Sequence, residues 1–570
     1  MTTPTSPPVV DADGAAGLQR QAVCWLLGLA VLVLWFGFLD VRHLLRSDEG
    51  RYAQIAREMW ASGDWVTIRY QGLKYFEKPP LHLWMTALAY SAFGVGEWQA
   101  RLWVATSGAI ATVALALALR HWHGAKAGWL GGLVLLATPS WVLATHFNSL
   151  DMGVAAAMTC TLAAFLVAQH PEQSPAARRG WMLLAWAAMG AAVLSKGLIG
   201  IVLPGGALVL YTLVRRDWAL WRRLHLLGGT TVLLAVTAPW FVLVSLRNPE
   251  FAQFFFIHEH FSRYTSQVHQ RGAPWWFFVP QVLGGFLPWL ALTPRWLPLL
   301  RTPATLKPAV DGRPKPFNPD LFCALWAAVI FVFFSLSGSK LPGYVVPLYP
   351  ALAWLAARAL LSLDARGWTL QWLWISVCLL VGLASSLGVV QLGSTPLLRQ
   401  YGVWLLVACA FGLAAMAVAW LRNRRGQVGE SMVAASLGVF VATTLGLLGH
   451  EVLGRPASGV DLLPAIRAEL TPDMPIYGVR LLDHTLPFYL QRTLVMVDEP
   501  DELAFGTQQE PGRWVPDLAT FRPLWEQGPA ALALMSPQTY DALKADGWRL
   551  QAVARDERRV VVSNREAAAR

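Results

Sequence analysis

Charged and hydroxyl-bearing residues gather in five short segments at the ends of long apolar runs. These segments are Asp48 to Lys78, Asn148 to Asp151, Ser195 to Lys196, His258 to Arg263 and Ser339 to Tyr344. A charge beside hydrocarbon must be solvated, paired or functional, because its desolvation is costly. Lysine and arginine bind phosphate through charge-assisted hydrogen bonds, and carboxylates move protons or orient a reacting group. The pattern therefore predicts an anion site that also contains catalytic acids.

Three carboxylates are the candidate catalytic groups. Asp48 and Glu49 follow the first apolar run, and Asp151 lies at the end of a later one. Structural explanations stay open for two of them. Asp48 could cap the following helix with Arg51 paired to it one turn later, and Asp151 could cap its own helix.

Five cations could together form a cluster that attracts an anion. They are Lys78, Arg51, Arg263, Lys340 and Lys196. Pro79 and Pro80 favour an extended backbone at Lys78, which would hold its ammonium group in place. The alternative for each lysine is an interfacial side chain whose ammonium group reaches to water. Glu77 is either the ion-pair partner of Lys78 or a metal ligand.

The elements that must position these residues cross a membrane. Of the 570 residues, 55% are hydrophobic and 14% are charged, whereas a soluble protein carries about 25% charged residues. The net charge of +11 comes from short basic clusters between apolar runs, a pattern typical of cytoplasmic loops and not of a nucleic-acid surface. We therefore expect an all-α polytopic membrane protein.

Apolar runs of spanning length recur about thirteen times. They lie at about 23–41, 101–120, 126–145, 151–169, 181–195, 198–214, 224–246, 276–299, 320–337, 343–361, 368–390, 401–421 and 431–448. The run from Leu81 to Phe93 is too short to span, so we expect a re-entrant or surface helix there. This choice puts the basic clusters on one side, the cytoplasm, and all five polar segments on the other.

The same reasoning divides the chain into domains. Residues 1–22 are predicted to be a cytoplasmic tail, and residues 23–450 a transmembrane domain whose loop 42–100 carries the first site residues. Residues 455–570 are richer in charge and contain strand-like runs, from Ala530 to Met535 and from Arg559 to Val562. We expect a soluble α/β domain on the non-cytoplasmic face.

Ordered motifs along residues 23 to about 361 resemble those of one enzyme family. The motifs are Asp48-Glu49-x-Arg51-Tyr52-Ala53, Phe76-Glu77-Lys78-Pro79, Ser195-Lys196-Gly197, Glu259-His260-x-x-Arg263 and Ser339-Lys340-Leu341-Pro342-x-Tyr344. The chain resembles the bacterial aminoarabinose lipid A transferases (undecaprenyl phosphate-aminoarabinose arabinosyltransferases), which are GT-C glycosyltransferases related to the protein O-mannosyltransferases. Gly50 and Gln54 depart from the Ala and Glu of many members.

The resemblance implies an inverting transfer of 4-amino-4-deoxy-L-arabinose from undecaprenyl phosphate to a lipid A phosphate. The reaction would take place at the periplasmic face of a Gram-negative inner membrane, and would give resistance to polymyxin. Asp48 would be the leading acid, and Tyr75 and Tyr344 would donate hydrogen bonds beside the cations. The implied partners are the donor lipid, lipid A and the membrane, with no nucleic acid, and we expect a monomer.

Some GT-C relatives use a divalent metal, and Glu77 with His258 or His260 could form such a site. The two histidines lack the i, i+4 spacing of a zinc-protease helix, and ordinary packing at the membrane interface is the alternative for them. No other cofactor is expected.

Two other functions stay open. A transferase of the same fold could move mannose or a hexosamine to a protein or a lipid. A flippase for lipid-linked sugars could use the same cationic cavity without catalysis, but it should carry charges at mid-span and on both sides of the membrane. Here the candidate residues fall on one side.

Overall fold

A computed structural model gives the structure of residues 25–45, 47–262, 273–301 and 316–565, with the side chains of residues 258–262 outside this description. The membrane part is built from helices. They are α1 (Trp25–Phe36), α2 (Asp48–Ser62), α3 (Leu81–Phe93), α4 (Glu97–His123), α5 (Ala125–Leu136), α6 (Pro139–Ala144), α7 (Leu150–Ala168), α8 (Pro175–Lys196), α9 (Ile199–Arg215), α10 (Leu226–Arg247), α11 (Phe278–Gly285), α12 (Trp296–Leu300), α13 (Pro319–Leu336), α14 (Tyr349–Leu361), α15 (Ala365–Leu392), α16 (Pro396–Arg424), α17 (Val428–Gly449) and α18 (Glu451–Ser458).

Shorter turns of helix join these elements. A π-helix covers Gln253–Ser262, and 3₁₀ helices cover Trp218–Arg223, Trp275–Phe277, Leu287–Arg295 and Pro342–Leu348. The last of these leads directly into α14.

Each predicted apolar run contains a helix, so the expected helical membrane domain is confirmed. By length and composition, eight helices of the described chain can cross a membrane, or nine if the pair Trp275–Gly285 and Leu287–Leu300, bent by 98°, counts as one span. The helix predicted at Leu81 to Phe93 is present as α3 and is not among them. The total of thirteen spans stays a prediction.

Helix α7 lies at the centre of the bundle. Of its most apolar window, 89% is buried inside the protein, and α7 packs against both α4 and α8. Its many small residues let neighbouring backbones approach closely. Asp151 in the first turn of α7 is therefore held at the end of the most enclosed helix.

The polar stretch after α1 is a folded unit. Helix α2 ends at Gly63, whose φ of 70° is the left-handed conformation of a helix C-cap. Strands β1 (Arg69–Tyr70) and β2 (Leu73–Lys74) then pair antiparallel. They are joined by Gln71 and Gly72 with φ of 53° and 74°, as a tight hairpin turn requires. Pro80 precedes α3 and starts it.

The C-terminal part confirms the expected α/β domain. Its helices are α19 (Leu463–Glu469), α20 (Leu486–Leu490), α21 (Ala504–Gln509), α22 (Leu518–Gln527) and α23 (Pro537–Ala545), with 3₁₀ turns at Val460–Leu462, Asp501–Leu503 and Pro511–Arg513. Its strands are β3 (Ile476–Val479), β4 (Val495–Val497), β5 (Leu532–Met535), β6 (Gln551–Arg555) and β7 (Val560–Ser563), in the order β4-β3-β5-β7-β6. Strand β3 is parallel to both neighbours, and β7 is antiparallel to both of its own. Strands β5 and β7 are buried throughout, as expected for central strands with continuous apolar runs.

Candidate functional site

Glu49 is enclosed at the start of α2. Its carboxylate accepts six hydrogen bonds, from the guanidinium groups of Arg42 and Arg101 and from the backbone N–H groups of Leu45 and Asn148. Burial by itself raises the pKa of Glu49, but Arg101 and Arg42 outweigh it and hold the pKa well below its usual range. A carboxylate offers about four lone-pair sites, so its acceptor capacity is filled. This environment favours an anchoring role over the predicted catalytic one.

Asp48, the neighbouring acid, is held much less tightly. It is the first residue of α2, after Ser47, whose side chain makes no capping hydrogen bond. An Asp48 carboxylate oxygen lies 3.6 Å from Nη2 of Arg51 one turn later, and 36% of the Asp48 side chain is exposed. The i, i+3 ion pair considered in the sequence is present, and Asp48 keeps an accessible face.

Arg51 is buried and contacts its own helix, the segment after strand β2 and the C-terminal domain. Its Nη1 donates to the Tyr75 hydroxyl at 3.3 Å, and its Nε lies 3.1 Å from Oε1 of Glu502. Glu502 belongs to the 3₁₀ turn before α21 in the C-terminal domain. Burial raises the pKa of Glu502 to about 7, although Arg51 acts in the opposite direction. The C-terminal domain thus contributes an acid to the site.

Asp151, Lys196 and Tyr344 come together from three different helical elements. The Lys196 ammonium forms an ion pair with the Asp151 carboxylate and lies 4.3 Å from the centre of the Tyr344 ring. A Cβ on Gly343 would lie 2.2 Å from Oδ2 of Asp151, so a larger residue there would force the Asp151 side chain to move. The structure therefore shows Asp151 paired with Lys196, and a Lys196 side chain that is only 16% exposed and packs against its partners.

Glu77 and Lys78 form a second pair of opposite charges. The Lys78 Nζ lies 3.6 Å from a Glu77 carboxylate oxygen and donates to the Glu77 backbone carbonyl at 3.0 Å. Both side chains are mostly buried. The ion-pair alternative for Glu77 is thus present in the structure.

Tyr52 lies within the electrostatic field of three of the candidate acids. Burial raises the pKa of the Tyr52 phenol, and the nearby charges of Asp48, Glu77 and Asp151 raise it further. Its ring packs edge-on against His82 at 5.6 Å. Carboxylates from α2, from the segment before α3 and from α7 are therefore close enough to act on one hydroxyl.

Lys340 lies in the loop before α14 and donates to the backbone carbonyl of Ser337. Arg263 and the side chains of His258 and His260 lie outside the described residues. Among the residues that the structure does describe, no group of three or more metal-binding side chains is found. The metal site with Glu77 stays a prediction.

The sequence did not point to Glu502, Tyr52, His82 or the two arginines on Glu49 as site residues. Tyr52 is part of the first motif, and this position could have identified it as a site residue. Glu502 follows three other acids between residues 498 and 501, and no spacing distinguishes it from them. Only the packing of the C-terminal domain brings it to Arg51.

Two family comparisons cover much of the chain. Residues 24–255 match the family described as dolichyl-phosphate-mannose-protein mannosyltransferase, and residues 462–564 match the aminoarabinose transferase C-terminal domain. Among solved structures, the chain is similar to ArnT from Cupriavidus metallidurans bound to undecaprenyl phosphate, with 52% identity and a TM-score of 0.91 over 96% of this chain and 98% of that one. The apo structure of that protein gives 51% identity and a TM-score of 0.90 over the same shares.

Curated relatives carry the name undecaprenyl phosphate-alpha-4-amino-4-deoxy-L-arabinose arabinosyl transferase. The protein of Aeromonas hydrophila is 32% identical over 60% of this chain and 61% of its own length. The protein of Edwardsiella ictaluri is 28% identical over 90% of this chain and 92% of its own length. The match to the former, and to several others, therefore spans less than two thirds of those proteins.

The helical membrane domain, the acids and cations at the ends of its helices and the match over residues 24–255 define a multi-pass membrane protein of the same class as the protein mannosyltransferases. The solved relative and the C-terminal match narrow this class further. The chain belongs to the aminoarabinose transferase (ArnT) family.

Proposed function

We propose that this protein transfers 4-amino-4-deoxy-L-arabinose from undecaprenyl phosphate to a phosphate group of lipid A, with inversion at the anomeric carbon. The observation that supports the proposal is that Asn148, just before α7, donates hydrogen bonds to Glu49 of α2, while the charges of Asp48 and Asp151 both act on the Tyr52 phenol. A relative of 52% identity was solved with undecaprenyl phosphate bound. Donor and acceptor are both lipids with anionic heads, and the site offers cations at the ends of membrane helices.

The cations bind the phosphate groups. The leaving group is a lipid phosphate, so the reaction needs stabilisation of negative charge more than protonation. Arg51 is held for this role by Tyr75 and by Asp48, which fix its guanidinium plane. Lys78 and Lys196 add ammonium groups, and the Tyr75 and Tyr344 hydroxyls add hydrogen bonds. We include Arg263 and Lys340 among the phosphate-binding residues because of the sequence motifs in which they lie.

The two aspartates have different roles in the proposed reaction. A phosphate oxygen of the acceptor forms the bond to the anomeric carbon while the bond to the donor phosphate oxygen breaks, and that electron pair leaves with undecaprenyl phosphate. The acceptor phosphate is already anionic near neutral pH, so a strong base is not required. Asp48 orients the acceptor, because its exposed face is available. Asp151 positions Lys196, because the two are already paired.

The proposal includes the orientation of the protein in the membrane and the effect of its product on the cell surface. The basic clusters support a periplasmic position for the site and for the domain of residues 455–570, with residues 23–450 in the inner membrane and residues 1–22 in the cytoplasm. The protein acts as a monomer on lipid A of the outer leaflet. The modification masks lipid A phosphates and so lowers the affinity of polymyxin for the cell surface.

Mass spectrometry of lipid A tests the proposal. A polymyxin-sensitive strain that makes the donor but lacks its own transferase is complemented with the wild-type chain, with Lys78→Ala, or with Lys126→Ala. Lys126 is exposed at the start of α5 and serves as the matched control. We expect added aminoarabinose with the wild type and the control, and none with Lys78→Ala at equal protein level.

Two results would count against the proposal. Unmodified lipid A with well-expressed wild-type protein would point to another acceptor or sugar. Full modification with Lys78→Ala would remove Lys78 from the phosphate site.

A further inference from the structure

The C-terminal domain is packed closely against helix α2, which carries Asp48 and Arg51. A Cβ on Gly50 would lie 2.2 Å from the backbone oxygen of His484, so α2 and the C-terminal domain touch at the backbone. One turn further, the Gln54 side chain donates to the backbone carbonyl of Arg492 at 3.0 Å. This contact fixes where the C-terminal domain presents its side chains to the site.

Glu502 is the acid presented there. Its Oε1 lies 3.1 Å from Nε of Arg51, and only 14% of the Glu502 side chain is exposed. His484 lies 3.8 Å from the same oxygen. Glu502 also lies in the electrostatic field of Glu77 and Asp48, so several negative charges share this corner of the site.

The contact between Arg51 and Glu502 is close but poorly aligned. Both Nε of Arg51 and Oε1 of Glu502 are buried atoms without a hydrogen-bond partner, although they are only 3.1 Å apart. The pair formed by Arg42 and Glu49 in the same site is different, because two aligned hydrogen bonds of 2.7 and 3.0 Å join it. A buried donor without an aligned acceptor is costly, and a better acceptor would relieve that cost.

We propose that Glu502 occupies the edge of Arg51 that a lipid-linked phosphate takes, and that phosphate binding displaces Glu502 from it. The inference rests on the proposed function, in which Arg51 binds phosphate. A phosphate carries three acceptor oxygens and suits the fixed donor fork of arginine. Glu502 therefore acts as a positioning residue of the C-terminal domain, which keeps Arg51 oriented while the site is empty and competes with the lipid phosphate.

If Glu502 competes with a lipid phosphate for Arg51, its removal should strengthen phosphate binding, whereas removal of a purely structural residue should not. Undecaprenyl phosphate is the product of the proposed reaction, so removing the competitor strengthens product binding as well as donor binding. The variant Glu502→Gln keeps the size of the side chain and loses its charge. We expect it to bind undecaprenyl phosphate about fivefold more tightly, the factor that corresponds to about 1 kcal/mol.

The binding experiment uses the full-length protein in nanodiscs of neutral lipid and undecaprenyl phosphate as the probe, with Kd measured by native mass spectrometry. The matched control is Glu526→Gln, which removes one negative charge from α22 of the same domain, where Glu526 pairs with the exposed Arg522. The control should bind as the wild type does. In transferase assays, Glu502→Gln should lower both the KM for the donor and kcat, because product leaves more slowly.

Weaker or unchanged binding by Glu502→Gln, with a melting temperature equal to that of the wild type, would overturn the inference. If Glu502→Gln does not fold, Glu502→Asp withdraws the carboxylate by one methylene group, and tighter binding is again the expected result. Arg51→Gln separates this inference from the proposed function. Loss of binding in Arg51→Gln with no tightening in the Glu502 variants refutes only the inference, whereas wild-type binding by Arg51→Gln refutes the phosphate role itself.

Discussion

Replacing Gly343 by alanine should disable the site without unfolding the protein. A Cβ at this position would lie 2.2 Å from Oδ2, 2.8 Å from Cγ and 3.1 Å from Cβ of Asp151. The Asp151 side chain must therefore move away by about 1 Å to reach ordinary van der Waals contact, which starts near 3.4 Å. That movement changes the geometry of the ion pair between the Asp151 carboxylate and the Lys196 ammonium.

The size of the effect follows from the displacement. A misplacement of about 1 Å in a reacting site costs about 10²-fold in rate. The loss should appear in kcat more than in protein stability, because Lys196 keeps its contact with the Tyr344 ring. The assay follows the transfer of aminoarabinose to lipid A by purified protein in mixed micelles, with mass spectrometry of the product.

A matched glycine provides the control for this prediction. Gly205 in α9 has open space where a Cβ would stand, so Gly205→Ala should keep full activity. Activity of Gly343→Ala within twofold of the wild type, at equal protein level, would refute the reasoning. It would show that the position of Asp151 relative to Lys196 does not matter for the reaction.

Three further predictions concern α2 and the segment before it. Glu49→Gln should destabilise the protein by about 3 kcal/mol or more, because it leaves two buried guanidinium groups without their counter-charge, and thermal unfolding measures this. Asp48→Asn should keep the wild-type melting temperature and lose most transferase activity, and full activity at normal protein level would refute its role. The hydrogen bond with Glu451 raises the pKa of His43. This pair therefore stabilises the protein fully below about pH 6.5, and the contribution is lost as pH rises through the raised pKa. A stability difference between His43→Gln and wild type that does not shrink from about pH 6 to pH 9 would contradict this.

The sequence predicted the helical membrane domain and the meeting of distant motifs because both depend on simple rules. Apolar runs of sufficient length form helices in a membrane, and the positive-inside rule sorts their ends. The ends that fall on one side are then close in space. Asp151, Lys196 and Tyr344 were predicted from three separate segments on this basis, and the structure brings them together.

The departures of Gly50 and Gln54 from the family pattern could not be explained from the sequence. In the structure, both residues face the C-terminal domain. Gly50 leaves room for the backbone of His484, and Gln54 bonds to the backbone of Arg492. Such contacts with the backbone of a distant segment have no signature in residue type or spacing. Glu502 was missed because no spacing distinguishes it from the acids at positions 498, 499 and 501.

The motif Asp48-Glu49 shows how one local pattern produces two different roles. Neighbouring residues on a helix point about 100° apart, so two adjacent acids cannot face the same partner. Glu49 faces the interior, where two arginines and two backbone N–H groups fill its oxygens. Asp48 faces the site, where the Arg51 guanidinium lies 3.6 Å away. The acid whose hydrogen-bonding capacity is filled therefore anchors the helix, and the neighbouring acid keeps an accessible face.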